Sequence, residues 1–170
     1  MKSKEKVSWF IFLVFLLALD FFTKRWAIDT IAPCQIYEQT YPYGGIGIFQ
    51  GWLQGIDFSL GYVENKGAAF GILSSYSKML FILRSGLILI LAIWFFFLEK
   101  KHKNRFAWIL ILSGAIGNWI DMFLYSAVID FLNFHIYGYS FPLFNLADAF
   151  ITSGAIIVVV KELFFRKHPN

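Results

Sequence analysis

A single cysteine, Cys34, stands in 170 residues. It rules out an intramolecular disulfide and a metal site built on thiolates. Histidine is just as sparse: His102, His135 and His168 lie far apart, so no imidazole cluster supports a metal, and no cofactor is expected. Charge is scarce too. Asp, Glu, Lys and Arg make up 15% of the chain, against roughly 25% in an average soluble domain. A linker, an internal repeat and a low-complexity tract are all missing, so residues 1–170 are expected to form one domain.

Apolar surface is what the chain has in excess: 58% of residues are hydrophobic, 21% are aromatic, and the mean hydropathy is +0.62. The few charges gather in clusters and leave apolar stretches of roughly 20 residues, enough for a helix to cross about 30 Å of hydrocarbon. Four such spans are predicted, at residues 7–28, 78–98, 106–127 and 141–163. The expected class is a mainly α, polytopic membrane protein with four transmembrane helices.

A net charge of +4 could suggest nucleic acid, but the basic residues sit beside the apolar stretches, where they set orientation instead. Lys2, Lys4 and Lys6 precede the first span, Lys100, Lys101, Lys103 and Arg105 join the second to the third, and Lys161, Arg166 and Lys167 follow the fourth. The positive-inside rule puts all these clusters and both termini in the cytoplasm. Residues 29–77 and 128–140 then face outward. The first run fits a cleaved signal peptide poorly, because it is too long and carries Asp20, Lys24 and Arg25 with no small-x-small site behind them.

In the outward cap, residues 29–77, glycines from Gly44 to Gly71 punctuate short apolar runs such as Ile46 to Phe49 and Phe58 to Val63. That pattern predicts small β-strands and turns, with Phe49, Trp52 and Ile56 lying against the membrane surface.

An ionisable group inside a span costs at least about 2.5 kcal/mol, so each one is a functional candidate. Asp20 and Lys24 are four residues apart on one face of the first span and can neutralise each other. Asn118, Asp121 and Tyr125 form a polar stripe on the third span, with Ser113 and Gly117 at small-xxx-small spacing. Asn145, Asp148 and Thr152 repeat the stripe on the fourth, with Ala149 and Ser153 as the small pair, so the two stripes are expected to meet. Asp130 follows the outward end of the third span, and Asp148 is predicted about two turns, ~10 Å, inside the fourth. If the intervening loop bends back, the two carboxylates meet at the outer boundary and share one proton, the state an aspartic hydrolase uses. Spacing alone leaves open that the two aspartates are unrelated. Arg84 in the second span lies at a depth similar to Asp121 and is expected either to pair with it or to snorkel to the surface.

Four blocks resemble the lipoprotein signal peptidase (signal peptidase II) family: Asp20-Phe-Phe-Thr-Lys24, Asn65-Lys-Gly-Ala-Ala-Phe-Gly71, Gly114-Ala-Ile-Gly-Asn118-Trp-Ile-Asp121 with Val128-Ile-Asp-Phe131, and Phe144-Asn-Leu-Ala-Asp148. The resemblance implies an aspartic endopeptidase of the bacterial cytoplasmic membrane, monomeric and with its active site near the outer face. It would remove signal peptides from diacylglyceryl-modified prolipoproteins, cutting just before the lipidated cysteine. It also implies Asp130 and Asp148 as the catalytic pair, and Asn65, Asn118, Asp121, Asn145, Asp20 and Lys24 as site-ordering or substrate-binding residues. The implied fold adds a small extracytoplasmic β cradle and a short outer helix to the four spans. Two departures are notable, since Ser113 and Met122 stand where the family commonly has glycine and arginine. Two other readings are open. In an ion-coupled transporter Asp20, Asp121 and Asp148 would form a proton relay spread through membrane depth, yet these carboxylates crowd toward the outer half. A scaffold subunit would use the polar stripes only as helix glue, which leaves Asp130 without a role.

Overall fold

The computed structural model describes residues 3–33, 39–66, 77–95 and 104–164. Cys34 and the basic residues from Lys100 to Lys103 lie outside them. In chain order the elements are α1 (Ser3–Thr30), β1 (Ile46–Trp52), β2 (Ile56–Asn65), α2 (Ser77–Ile93), α3 (Arg105–Tyr125), β3 (Val128–Ile136), β4 (Tyr139–Ser140) and α4 (Leu146–Phe164). The protein is thus mostly helical with a small antiparallel sheet.

Among the described residues, two helices, Val7–Thr30 and Arg105–Tyr125, are long and apolar enough to cross a membrane, and Phe81–Ile93 is a shorter apolar helix. Large apolar side chains such as Phe10 and Phe22 on α1, Ile82 and Leu89 on α2, and Ile156 and Val159 on α4 are exposed. Lipid would solvate such faces; water would not. α3 and α4 approach backbone to backbone through glycine. A Cβ on Gly114 would run into the Ala147 carbonyl oxygen, and one on Gly154 would lie 2.6 Å from the Ala107 oxygen. Of the predicted small pairs, Gly117 does face a neighbouring group, the Asp20 carboxylate, whereas Ser113 turns back to donate to the Leu110 carbonyl in its own helix.

The sheet runs β1-β2-β3-β4, all antiparallel. β3 replaces the loop expected between the third and fourth spans. It forms because Ser126 ends α3 in the left-handed region, its N–H bonding to the Met122 carbonyl, and so turns the chain onto the edge of β2 within two residues. Aromatic rings then line up across the strands, Phe49 on Phe58, Phe58 on Phe134 at 4.4 Å, and Phe134 on Phe144. The opposite face of β3 buries Ile129 and Phe131 against Ala27 of α1, Ile31 just beyond its end, and Tyr62 of β2. The described part of the cap holds no short helix; residues 67–76 lie outside it.

α4 begins at Leu146, five residues later than the predicted span. Pro142 cannot donate to a helix ladder, and the segment before α4 pairs with β3 instead: Phe141 N–H bonds to Phe134 O, Phe144 N–H to Leu132 O, and Leu132 N–H back to Phe144 O. Asp148 therefore lies in the first turn of α4 rather than two turns inside it.

Candidate active site

Asn145 caps α4, and its side chain explains why Asp148 faces where it does. The Asn145 Oδ1 accepts the Asp148 N–H at 2.9 Å, and the Asp148 Oδ2 faces the Asn145 N–H at 3.4 Å, a reciprocal cap of the Asn-x-x-Asp kind. A second orphan donor of this helix end, the Ala147 N–H, is taken by Asp20 Oδ1 of α1 at 2.9 Å.

The Asn145 amide nitrogen reaches Asp130 Oδ1 at 2.7 Å, the Ile129 carbonyl at 3.1 Å and Asn118 Oδ1 at 3.1 Å. It has two hydrogens for these three acceptors, so at least one contact is shared. Asp130 owes its place to strand register. Asn65 of β2 opposes Val128, which puts Asp130, two residues along, on the same face, and Asn65 Nδ2 donates to Asp130 Oδ2 at 3.1 Å.

Behind the two aspartates lies a buried charge cluster. Lys24 Nζ sits 2.8 Å from Asp20 Oδ2 and 2.7 Å from Asp121 Oδ2, and donates to Asn118 Oδ1 at 3.0 Å. All three charged side chains are at most 3% exposed. Sequence depth left Arg84 either pairing with Asp121 or snorkelling to the surface, and Lys24 holds the Asp121 carboxylate. Lys24 reaches Asp121 from α1, directly across α3, whereas Arg84 lines the cavity described below. Asp121 Oδ2 also accepts the Ile129 N–H at 3.2 Å, fastening the end of α3 to the strand that carries Asp130. Met122 is buried.

Asp130, Asp148, Asn65 and Asn118 open onto one cavity of about 680 Å³ whose remaining wall is largely apolar, including Leu87, Ile88, Trp119 and Phe141. Substrate pockets typically measure ~300–1,000 Å³. Asp130 is 4% exposed. Burial first, and the charge of Asp148 second, push its carboxyl up to about 7, against the lowering influence of the Asn65 and Asn145 hydrogen bonds. The site thus brings together all eight residues predicted for it. What the sequence reading missed is the docking of Asp20 onto the start of α4 and the presence of Arg84 on the cavity wall. The Asn-x-x-Asp spacing was a legible signal for the α4 start.

Two solved structures of bacterial membrane enzymes share this fold. One aligns with a TM-score of 0.73 at 27% identity, covering 96% of this chain and 93% of the other. The second aligns with the same TM-score at 28% identity. Fold and site together thus define a small bacterial-type membrane enzyme. The chain belongs to the signal peptidase II family, whose model, described as Signal peptidase (SPase) II, matches residues 12–164. The lipoprotein signal peptidase of Psychromonas ingrahamii is 32% identical over 170 residues, 97% of this chain and 90% of the relative. That of Buchnera aphidicola is 34% identical over 168 residues, and that of Chlamydia felis 49% over 107 residues, 61% of this chain. Membership makes the chain a peptidase.

Proposed function

We propose that the chain is an aspartic endopeptidase of the bacterial cytoplasmic membrane that removes signal peptides from diacylglyceryl-modified prolipoproteins, cutting just before the lipidated cysteine. Asp130 and Asp148 are its catalytic pair. The single observation behind this assignment is that Asn145 bonds both carboxylates at the wall of one cavity. α1, α2, α3 and α4 are four spans of one monomeric membrane domain, with both termini cytoplasmic and the sheet outside. Support for α2 and α4 as spans comes from their exposed apolar faces.

In the reaction the pair holds one proton between its two carboxyls. The ionised carboxylate takes a proton from water as the water oxygen attacks the scissile carbonyl carbon. The protonated partner gives its proton to the carbonyl oxygen. Collapse of the tetrahedral intermediate breaks the C–N bond: the proton taken from water passes to the leaving amine, and the other carboxylate takes a hydroxyl proton from the intermediate as the new carboxyl group forms, which restores the one-proton pair. Asn65, Asn118 and Asn145 hold the carboxyls, while Asp20, Lys24 and Asp121 hold the asparagines and the start of α4. No step requires a metal or cofactor.

The test is to incubate the purified protein with a diacylated and an unlipidated form of one prolipoprotein. Cleavage of the diacylated form alone, one bond before its cysteine, is expected. Equal cleavage of both forms would overturn the substrate assignment.

A further inference from the structure

Arg84 stands seven residues into α2, about 10 Å along the helix. Its rotation is fixed by its neighbour. Ser85 Oγ accepts the Trp119 indole N–H at 2.7 Å and donates to the Phe81 carbonyl, while Phe81 stacks on Trp119 at 5.7 Å. With Ser85 held against α3, Arg84, Leu87 and Ile88 fall at i, i+3 and i+4 and form the α2 wall of the cavity that holds Asp130 and Asp148. Among the described residues lining that cavity, Arg84 is the one cation.

A peptide can be cut only where its scissile bond is out of helix. At membrane depth an unwound segment has carbonyl oxygens that neither lipid nor its own backbone can satisfy. The other side-chain N–H groups of the cavity are engaged: Asn65 with Asp130, Asn118 with Asp148, and Trp119 with Ser85. A guanidinium carries five N–H donors in a rigid fork, so it retains capacity beyond any one contact.

We propose that Arg84 is a substrate-binding residue whose guanidinium donates to backbone carbonyls of the unwound signal-peptide segment, holding the scissile bond against Asp130 and Asp148. This rests on the peptidase reading above. A charged hydrogen bond to a neutral carbonyl in such a site acts equally in the ground state and the transition state, so it lowers KM and leaves the chemical step alone.

The experiment compares the intact protein with its Arg84→Gln and Arg84→Lys variants on a diacylated prolipoprotein in detergent, resolving KM from kcat across pH. Arg84→Gln should raise KM about tenfold or more and leave kcat within about threefold, with an unshifted pH profile. Arg84→Lys, which keeps the charge but loses the fork, should fall between. Should Arg84→Gln fail to accumulate, the Arg84→Lys KM decides alone. An unchanged KM in the variant read, as a merely snorkelling arginine would give, overturns the proposal, and so does a loss confined to kcat or a shifted pH profile. If the unaltered protein does not cleave the diacylated substrate, the peptidase reading itself has failed, an outcome separate from any behaviour of Arg84.

Discussion

Lys24 Nζ donates to Asn118 Oδ1 at 3.0 Å, and this contact fixes which end of the Asn118 amide faces Asp148. An ammonium has no acceptor, so the amide oxygen must turn toward it. The Nδ2 group is left to donate to Asp148 Oδ1 at 2.8 Å. Lys24→Met should therefore act twice. It strands Asp20 and Asp121 in a buried site, where losing the partner of a buried ion destabilises by ~3–5 kcal/mol, and it releases the Asn118 amide. Adding Asp121→Asn should recover much of the thermal stability in detergent but not the full turnover. Complete recovery of turnover in that double variant would show that Lys24 does not orient Asn118.

The pH dependence of stability follows from Asp130. Its carboxyl is raised from 3.8 to about 7 in the fold, first by burial. Between those values the native state holds a proton that the unfolded chain releases. Stability is consequently full below about 4 and is lost as pH rises toward 7, at up to about 1.4 kcal/mol per pH unit. Asp130→Asn removes the penalty of a buried charge, so its melting temperature should exceed the unaltered protein's at pH 8, with the gap closing near pH 4. An Asp130→Asn variant that melts lower at pH 8 contradicts this account.

Gly114 ties helix contact to chemistry. Adding a Cβ there collides with the Ala147 carbonyl oxygen in the α4 turn that carries Asp148. A displacement of ~1 Å in a reacting group can reduce rate about 100-fold. Gly114→Ala should cut kcat by at least tenfold while the protein still inserts, and a near-normal kcat would mean that α4 tolerates the shift.

Much of the site was legible in the sequence because its residues are polar groups inside apolar helices, where chemistry stands out against the background. Asp20, Lys24, Asn118 and Asp121 were each visible for that reason. The start of α4 was misread because Phe141, Leu143 and Phe144 continue the apolar run, and hydropathy cannot distinguish a strand-paired segment from a helix turn. The partner of Asp121 was illegible for a different reason. Depth along a helix could be counted, but the side from which a cation approaches Asp121 depends on how α1 packs on α3, which no periodicity encodes.

Orientation is open to direct test. A reporter fused after Lys103 should be cytoplasmic and one inserted near Gly55 should be outside, as the basic clusters dictate. Reversed labelling would put Asp130 on the wrong face for a substrate presented from outside.

The proposed hydrolysis depends on both carboxyls. The decisive measurement is the initial rate of cleavage of a diacylated prolipoprotein by Asp130→Asn and by Asp148→Asn, each verified as folded by its melting transition and as still binding substrate. Each change keeps the size of the side chain and removes one role in proton transfer. The predicted result is loss of turnover by at least about 100-fold in both variants. Turnover within about tenfold of normal in either folded variant would contradict the paired-aspartate mechanism.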